Sequence, residues 1–151
     1  MATRTWWGAS SGAFATAGNW LEGVAAGAGD DIVFPAGAGP LTSGLDQSAV
    51  TFGTLTIEQG YTGTIGSVTA GAATYLRGVF TQVLSYGSGT VYLDIGASAI
   101  SPQIFNSATA SDGSFGFYLK GSAIATLTVG SGYVGLAAKA GETSTATTVR
   151  L

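Results

Sequence analysis

The stretch Val50-Thr51-Phe52-Gly53-Thr54-Leu55-Thr56-Ile57 decides the fold class of this chain. Its apolar side chains recur at every second position on either side of Gly53, which is the period of a β-strand. Threonines fill most of the alternate positions, so we predict a strand with one buried face and one face covered by threonine. The change of phase at Gly53 predicts a β-bulge there.

Similar short segments of β-branched and aromatic residues, separated by Gly, Ser and Asp, continue along the chain. Apolar residues do not keep a helical spacing for more than about one turn in any window. We therefore predict an all-β fold with nine short strands. The predicted strands are Asp31 to Phe34, Ala49 to Ile57, Thr74 to Ser85, Thr90 to Ile95, Gln103 to Phe105, Phe115 to Lys120, Ala125 to Val129, Tyr133 to Ala137 and Thr147 to Leu151.

The strand spacing suits a sandwich, a barrel or a β-solenoid whose neighbouring rungs bury a common core. The strands are short, the chain contains 25 Gly that can occupy corners, and Thr and Ser alternate with the apolar positions. These features favour a short β-solenoid. A β-sandwich or jelly roll is the alternative.

Residues 1–48 differ from the rest of the chain. They hold all three tryptophans, Trp6, Trp7 and Trp20, and two of the three prolines, in a loop-rich stretch with one predicted strand. The end rung of a solenoid exposes apolar surface and unpaired edges unless something covers it. We predict one domain, 1–151, with an N-terminal cap or arm at 1–48 and a β body at 49–151.

Composition excludes several classes of function. The chain is 46% hydrophobic with a net charge of −3, whereas disordered chains are weakly hydrophobic and highly charged. Five scattered cations form no basic stripe, so nucleic-acid binding is not expected. The uncharged stretches 59–76 and 121–138 are rich in Gly, Ser and Thr, so we predict no membrane helix. The N-terminus lacks the apolar core of a secretion signal.

Two short motifs match known catalytic or cofactor patterns. Residues Gly8 to Gly12 match G-x-S-x-G, but the sequence has no histidine to take a proton from Ser10, and no predicted strand precedes it. Residues Gly130 to Gly135 match G-x-G-x-x-G, but the helix and the acid that a dinucleotide site needs do not follow. We interpret both segments as glycine-rich turns.

Carboxylates offer a third possibility, because a pair of them can hydrolyse glycosides. Turn chemistry explains several of these acids better than catalysis does, and no loop with regularly spaced acids surrounds Asp30 to suggest calcium. We therefore expect no enzymatic activity, no catalytic residue, no cofactor and no metal. The candidate carboxylates are Asp30, Asp31, Asp46, Glu58, Asp94 and Asp112.

The sequence resembles two groups of proteins. Trp6-Trp7-Gly8, Gly18-Asn19-Trp20 and the segment Gly29 to Pro35 resemble the opening of β-helical bacterial surface proteins such as autotransporter passenger domains. The segment Thr54 to Gly66 is similar to part of the structural proteins of tailed bacteriophages. These resemblances imply a surface-displayed β protein.

The expected function is therefore that of a capsid decoration or cement protein on the outer surface of a phage head. Its expected partners are the major capsid protein lattice and further copies of itself, as a homotrimer, with no nucleic acid and no membrane. The alternative is a β-helical adhesin, or a tail-fibre or receptor-binding fragment, that recognises glycans. The alternative location is the bacterial cell surface or the extracellular space.

The N-terminal aromatic residues are the candidate partner-binding site. A flexible segment rich in Gly, Ser and Ala surrounds them, and large aromatic side chains serve well as interface anchors. In the alternative interpretation, the tryptophans form a small satellite core at the end of the β body. The candidate residues are Trp6, Trp7, Asn19 and Trp20.

Overall fold

The chain forms a parallel β-solenoid of about five turns. The structure, a computed structural model, describes residues 1–69, 72–105, 107, 116–136 and 143–151. Among these, the only helical element is a 3₁₀ turn at Ala17–Asn19, and no helix is long and apolar enough to cross a membrane. The strands are β1 Thr3–Thr5, β2 Asp31–Phe34, β3 Asp46–Ile57, β4 Thr64–Ile65, β5 Ser67–Thr69, β6 Ala72–Thr74, β7 Leu76–Ser85, β8 Thr90–Asp94, β9 Gln103–Ile104, β10 Phe117–Lys120, β11 Ile124–Val129, β12 Val134–Leu136 and β13 Ala146–Arg150.

Two parallel sheets run along the solenoid axis. The long sheet contains β1, β2, β3, β7, β9, β11 and β13, paired in that order. The short sheet contains β4, β8, β10 and β12, and the first residues of β7 also pair with β8. An antiparallel hairpin of β5 and β6 leaves the solenoid between two rungs.

The core lies between the sheets because each strand turns its apolar positions inward. Ile32 of β2 is in register with Leu55 of β3, which is in register with Val83 of β7, and all three are fully buried. Stacking identical positions of successive rungs places like side chains over each other, so the rows form one continuous hydrophobic cluster from Trp6 to Leu127. The threonines of β3 point the other way, which confirms the predicted two-faced strand.

The predicted bulge at Gly53 is wrong. From Thr51 to Ile57, β3 keeps an unbroken register with β7, and the register shift lies earlier, between Asp46 and Thr51. Both strands change phase at the position of Gly53, because Phe52 and Leu55 are buried on β3 as Phe80 and Val83 are on β7, and we call this position the corner. The Asp31 carboxylate accepts a hydrogen bond from the Thr54 N–H (2.6 Å), and a side chain at Gly53 would collide with that carboxylate.

The N-terminal region is part of the solenoid and does not form a separate arm. It contributes β1 and β2 to the long sheet, so the β body begins at Thr3 and not at residue 49. The Leu21 N–H donates to the Thr5 carbonyl (2.9 Å) and the Glu22 carboxylate accepts from the Thr5 N–H (2.8 Å), which closes the outer edge of β1.

All nine predicted strands are confirmed, within a few residues at their ends. The predicted limits at Phe115 and Ala137 lie outside the described residues. The prediction missed β1, β4 and the hairpin strands β5 and β6, which have only two or three residues each. Such short strands carry too few residues for an alternating pattern and depend on neighbouring rungs for their hydrogen bonds.

Candidate functional site

Three of the four candidate partner-binding residues are inside the protein. Trp6, Asn19 and Trp20 are 0%, 0% and 3% exposed. The rings of Trp6 and Trp20 meet edge to face at 5.2 Å, and the indole N–H of Trp6 donates to the Gly39 carbonyl (2.9 Å). Only Trp7, at 42% exposure, can contact a partner without opening the fold. This corrects the expectation of an exposed tryptophan arm and places Trp6 and Trp20 in the core.

Asn19 holds the N-terminal loop together. Its side-chain oxygen accepts the N–H groups of Ser10 and Ser11 (both 2.8 Å), and its side-chain nitrogen donates to the Ala13 carbonyl (2.8 Å) and the Ser11 hydroxyl (3.0 Å). The G-x-S-x-G segment is therefore a loop wrapped around a buried amide. The first four residues of the second motif, Gly130 to Tyr133, connect β11 to β12, and its last two residues lie in β12, where a cofactor site needs a helix.

The acids near the N-terminus have structural partners. Asp30 is buried beside Arg4, whose Nε donates to a carboxylate oxygen at 3.0 Å, and it also accepts the Ala2 and Gly27 N–H groups. The Arg4 hydrogen bond is the main cause that holds the pKa of Asp30 below its usual value. Asp31 holds the corner at Thr54. Asp112 lies outside the described residues.

Four charged residues form a ladder of alternating sign across successive rungs. Asp46, Arg77, Asp94 and Lys120 are in register on β3, β7, β8 and β10. Arg77 lies 3.3 Å from Asp46 and 3.4 Å from Asp94, and Lys120 lies 3.9 Å from Asp94. We call this row the charge ladder, and its two acids and two cations balance in charge. The candidate acids Asp46 and Asp94 therefore serve as contacts between rungs.

Replacing Asp94 with Asn is expected to destabilise the protein by about 1–2 kcal/mol at low salt, because this largely buried carboxylate serves both cations. The loss should shrink as salt rises, since the remaining charges are screened. Asp46→Asn is the matched control, because its side chain is exposed and an exposed ion pair contributes little to stability. Urea denaturation at two salt concentrations measures both. Equal losses of unfolding free energy in the two variants would contradict the conclusion that Asp94 is the central residue of the charge ladder.

A second row, of tyrosines, was not predicted. Tyr92 and Tyr118 stack at 4.9 Å with nearly parallel rings, and Tyr75 and Tyr133 meet them edge on. Tyr75, Tyr92 and Tyr118 are almost fully buried, and burial raises the pKa of Tyr92. Gly66 borders this row, where a side chain would press on Tyr92 Cβ at 2.8 Å. Burial makes this row a structural element.

The outward side of the long sheet forms a regular surface, and we call it the long face. Its central row takes one residue from each of seven strands, with one charge, Arg150, at the end. Because neighbouring strands lie about 4.8 Å apart, the row extends for about 29 Å. The row consists of Thr5, Val33, Thr56, Leu84, Gln103, Thr128 and Arg150. The alternating threonines in the sequence predicted an outward polar side on single strands. Only the register between strands shows that these sides join into one continuous face.

The described residues contain no cluster of three or more acids that could hold a metal ion. Comparison of the chain with protein-family models, curated proteins and solved structures finds no match. Three surface features can take part in binding: the long face, exposed Trp7 and the remaining acid, Glu58, which lies in an open groove.

Proposed function

We propose that this chain is a non-enzymatic decoration or cement protein that binds the outer surface of a phage head through its long face. The observation that supports this proposal is the register of the long face. One residue from each of seven strands lies in its central row, and all of them except Arg150 are uncharged. A rigid, regular face of this kind suits a regular lattice of identical subunits.

The charge distribution supports the same proposal. With 13 charged residues in 151, several of them paired in the charge ladder, the protein offers little electrostatic steering to a partner. Its affinity would come from shape, from apolar contacts and from many equivalent sites acting together. Trp7, which follows β1 by two residues and is 42% exposed, is an aromatic side chain that suits an interface anchor.

We further propose that the protein acts as a homotrimer. Apolar side chains remain exposed near the C-terminal end of the described solenoid, with Leu136 40% and Val149 49% exposed, and symmetric copies can bury such surface. Light scattering at micromolar concentration should give three times the 14.9 kDa mass of the chain. A monomer, both in solution and on particles, would contradict the trimer.

Immunogold labelling tests the location. Antibody against the protein should label the heads of virions of the phage that encodes it, evenly over their surface. Labels confined to tail fibres would support the adhesin alternative, and labels on bacterial cells without virions would contradict the phage assignment. Either result would overturn the decoration proposal.

A charge placed on the long face tests the binding surface. Thr128→Arg is expected to lower the amount that co-sediments with particles stripped of the protein by at least tenfold, because a buried unpaired charge at an interface costs several kcal/mol. Thr62→Arg, in an exposed loop outside the long face, is the control and should bind normally. Both variants should melt like the parent. Equal binding by the two variants would exclude the long face as the attachment surface.

A further inference from the structure

A pair of stacked aromatic rings ends at an open groove beside the long face. Tyr86 and Phe105 follow β7 and β9 and stack with ring centroids 5.6 Å apart and planes within 6°. Their backbones are linked rung to rung, since the Phe105 N–H donates to the Ser85 carbonyl (2.7 Å) and the Tyr86 N–H donates to the Ile57 carbonyl (2.8 Å). One face of the Tyr86 ring is therefore covered by Phe105, and the opposite face is directed toward the preceding rung.

The preceding rung carries a polar side chain where the stack would continue. A groove of about 530 Å³ lies there, lined by Thr56, Glu58, Gln59 and Tyr86. Glu58 and Gln59 are exposed and Tyr86 is 39% exposed. Within the described part of the chain, none of the four side chains makes a hydrogen bond or ion pair. The groove thus presents a bare aromatic face surrounded by hydrogen-bonding groups without partners.

These groups complement a sugar ring in particular. An aromatic face carries partial negative charge and attracts the weakly positive C–H groups on one side of a pyranose ring. The Glu58 carboxylate accepts hydrogen bonds from hydroxyls, the Gln59 amide both donates and accepts, and the Thr56 hydroxyl does either. The volume lies within the range of small-molecule sites. We propose that this groove binds a hexopyranose ring stacked on Tyr86, with Glu58 and Gln59 holding its hydroxyls.

A cationic ligand is the competing occupant, since a cation would also favour the Tyr86 ring and the Glu58 charge. The groove holds one carboxylate beside an amide and a hydroxyl, which have no preference for a full positive charge. This mixture of donors and acceptors favours a neutral polyol. The groove shares Thr56 with the central row of the long face, but Tyr86, Glu58 and Gln59 lie outside that row. Variants of these three residues therefore test the sugar site separately from the lattice contact, and either proposal can fail without the other.

Saturation-transfer NMR tests the sugar site on the intact protein. Methyl pyranosides of glucose, galactose, mannose and N-acetylglucosamine are each added at about 10 mM, above the millimolar Kd expected for one ring. At least one should receive saturation, most strongly at the C–H groups of a single ring face. Absence of transfer to all four sugars would overturn the proposal, and so would stronger binding of choline than of any sugar.

Variants locate the binding to the groove. Tyr86→Ala should abolish transfer, Tyr86→Phe should retain binding within about threefold, and Glu58→Gln should weaken it about tenfold, the cost of one charge-assisted hydrogen bond. Tyr133→Ala is the matched control, because Tyr133 is also an exposed tyrosine (43%) but lies on a different rung. Transfer that survives Tyr86→Ala, or that Tyr133→Ala removes equally, would overturn the site. Near-identical melting of the variants excludes unfolding as the cause.

Discussion

Replacing Trp6 with alanine is expected to lower the free energy of unfolding by about 3–5 kcal/mol, the usual cost of deleting a large aromatic from a core. Trp6 is fully buried, packs against Trp20 and Phe34, and donates its indole N–H to the Gly39 carbonyl at 2.9 Å. That carbonyl would keep only the 3.5 Å hydrogen bond from the Tyr61 hydroxyl. For a chain of this size the melting temperature should fall by roughly 6–20 °C. Thermal melting followed by far-UV circular dichroism measures it.

The neighbouring tryptophan provides the matched control. Trp7→Ala removes the same side chain from a half-exposed position and should change the free energy of unfolding by about 1 kcal/mol or less. On the proposed function, this variant and not Trp6→Ala should bind particles weakly when equal amounts of folded protein are compared. Similar stability losses in the two variants would contradict the placement of Trp6 in the core and Trp7 at the surface.

Replacing Asn19 with alanine is expected to cost about 2–4 kcal/mol, although the side chain is polar and small. The change removes four hydrogen bonds and leaves the Ser10 and Ser11 N–H groups without their partner, while the Ala13 carbonyl keeps only the Thr16 N–H (3.2 Å). A buried polar group that loses its hydrogen bond costs about 1–3 kcal/mol, and solvent can reach part of this loop. Urea denaturation gives the value directly.

Gln59→Ala is the control for Asn19, because it deletes a similar amide that is exposed and makes no hydrogen bond within the described part of the chain. Its stability should stay within about 0.5 kcal/mol of the parent. Asn19→Asp should be at least as damaging as Asn19→Ala, since it sets a charged oxygen against the Ala13 carbonyl. A stable Asn19→Ala protein would show that the N-terminal loop does not depend on this amide.

Much of the fold could be predicted from local pattern. Alternation in segments such as Val50 to Ile57 gave the strands, and their shortness, with glycine between them, favoured the solenoid over the sandwich. The errors at the candidate partner-binding site have one cause. Trp6, Asn19 and Trp20 were assigned to a partner surface because the glycines and serines around them suggest a flexible segment. The residues that bury Trp6, Gly39 and Phe34, lie far along the chain, and Ala13, which binds Asn19, lies across a turn. A local sequence pattern does not reveal such contacts.

The sequence by itself determined that this chain is built from short strands with one apolar and one threonine-rich side, because alternation is a property of consecutive residues. The tertiary structure decided which residues share a row, because register depends on how many residues each turn of the solenoid contains. Asp46 and Lys120 join one charge ladder, and Tyr86 and Phe105 form one stack, although nothing in their local sequence links them. Both candidate surfaces, the long face and the Tyr86 groove, consist of such contacts between rungs.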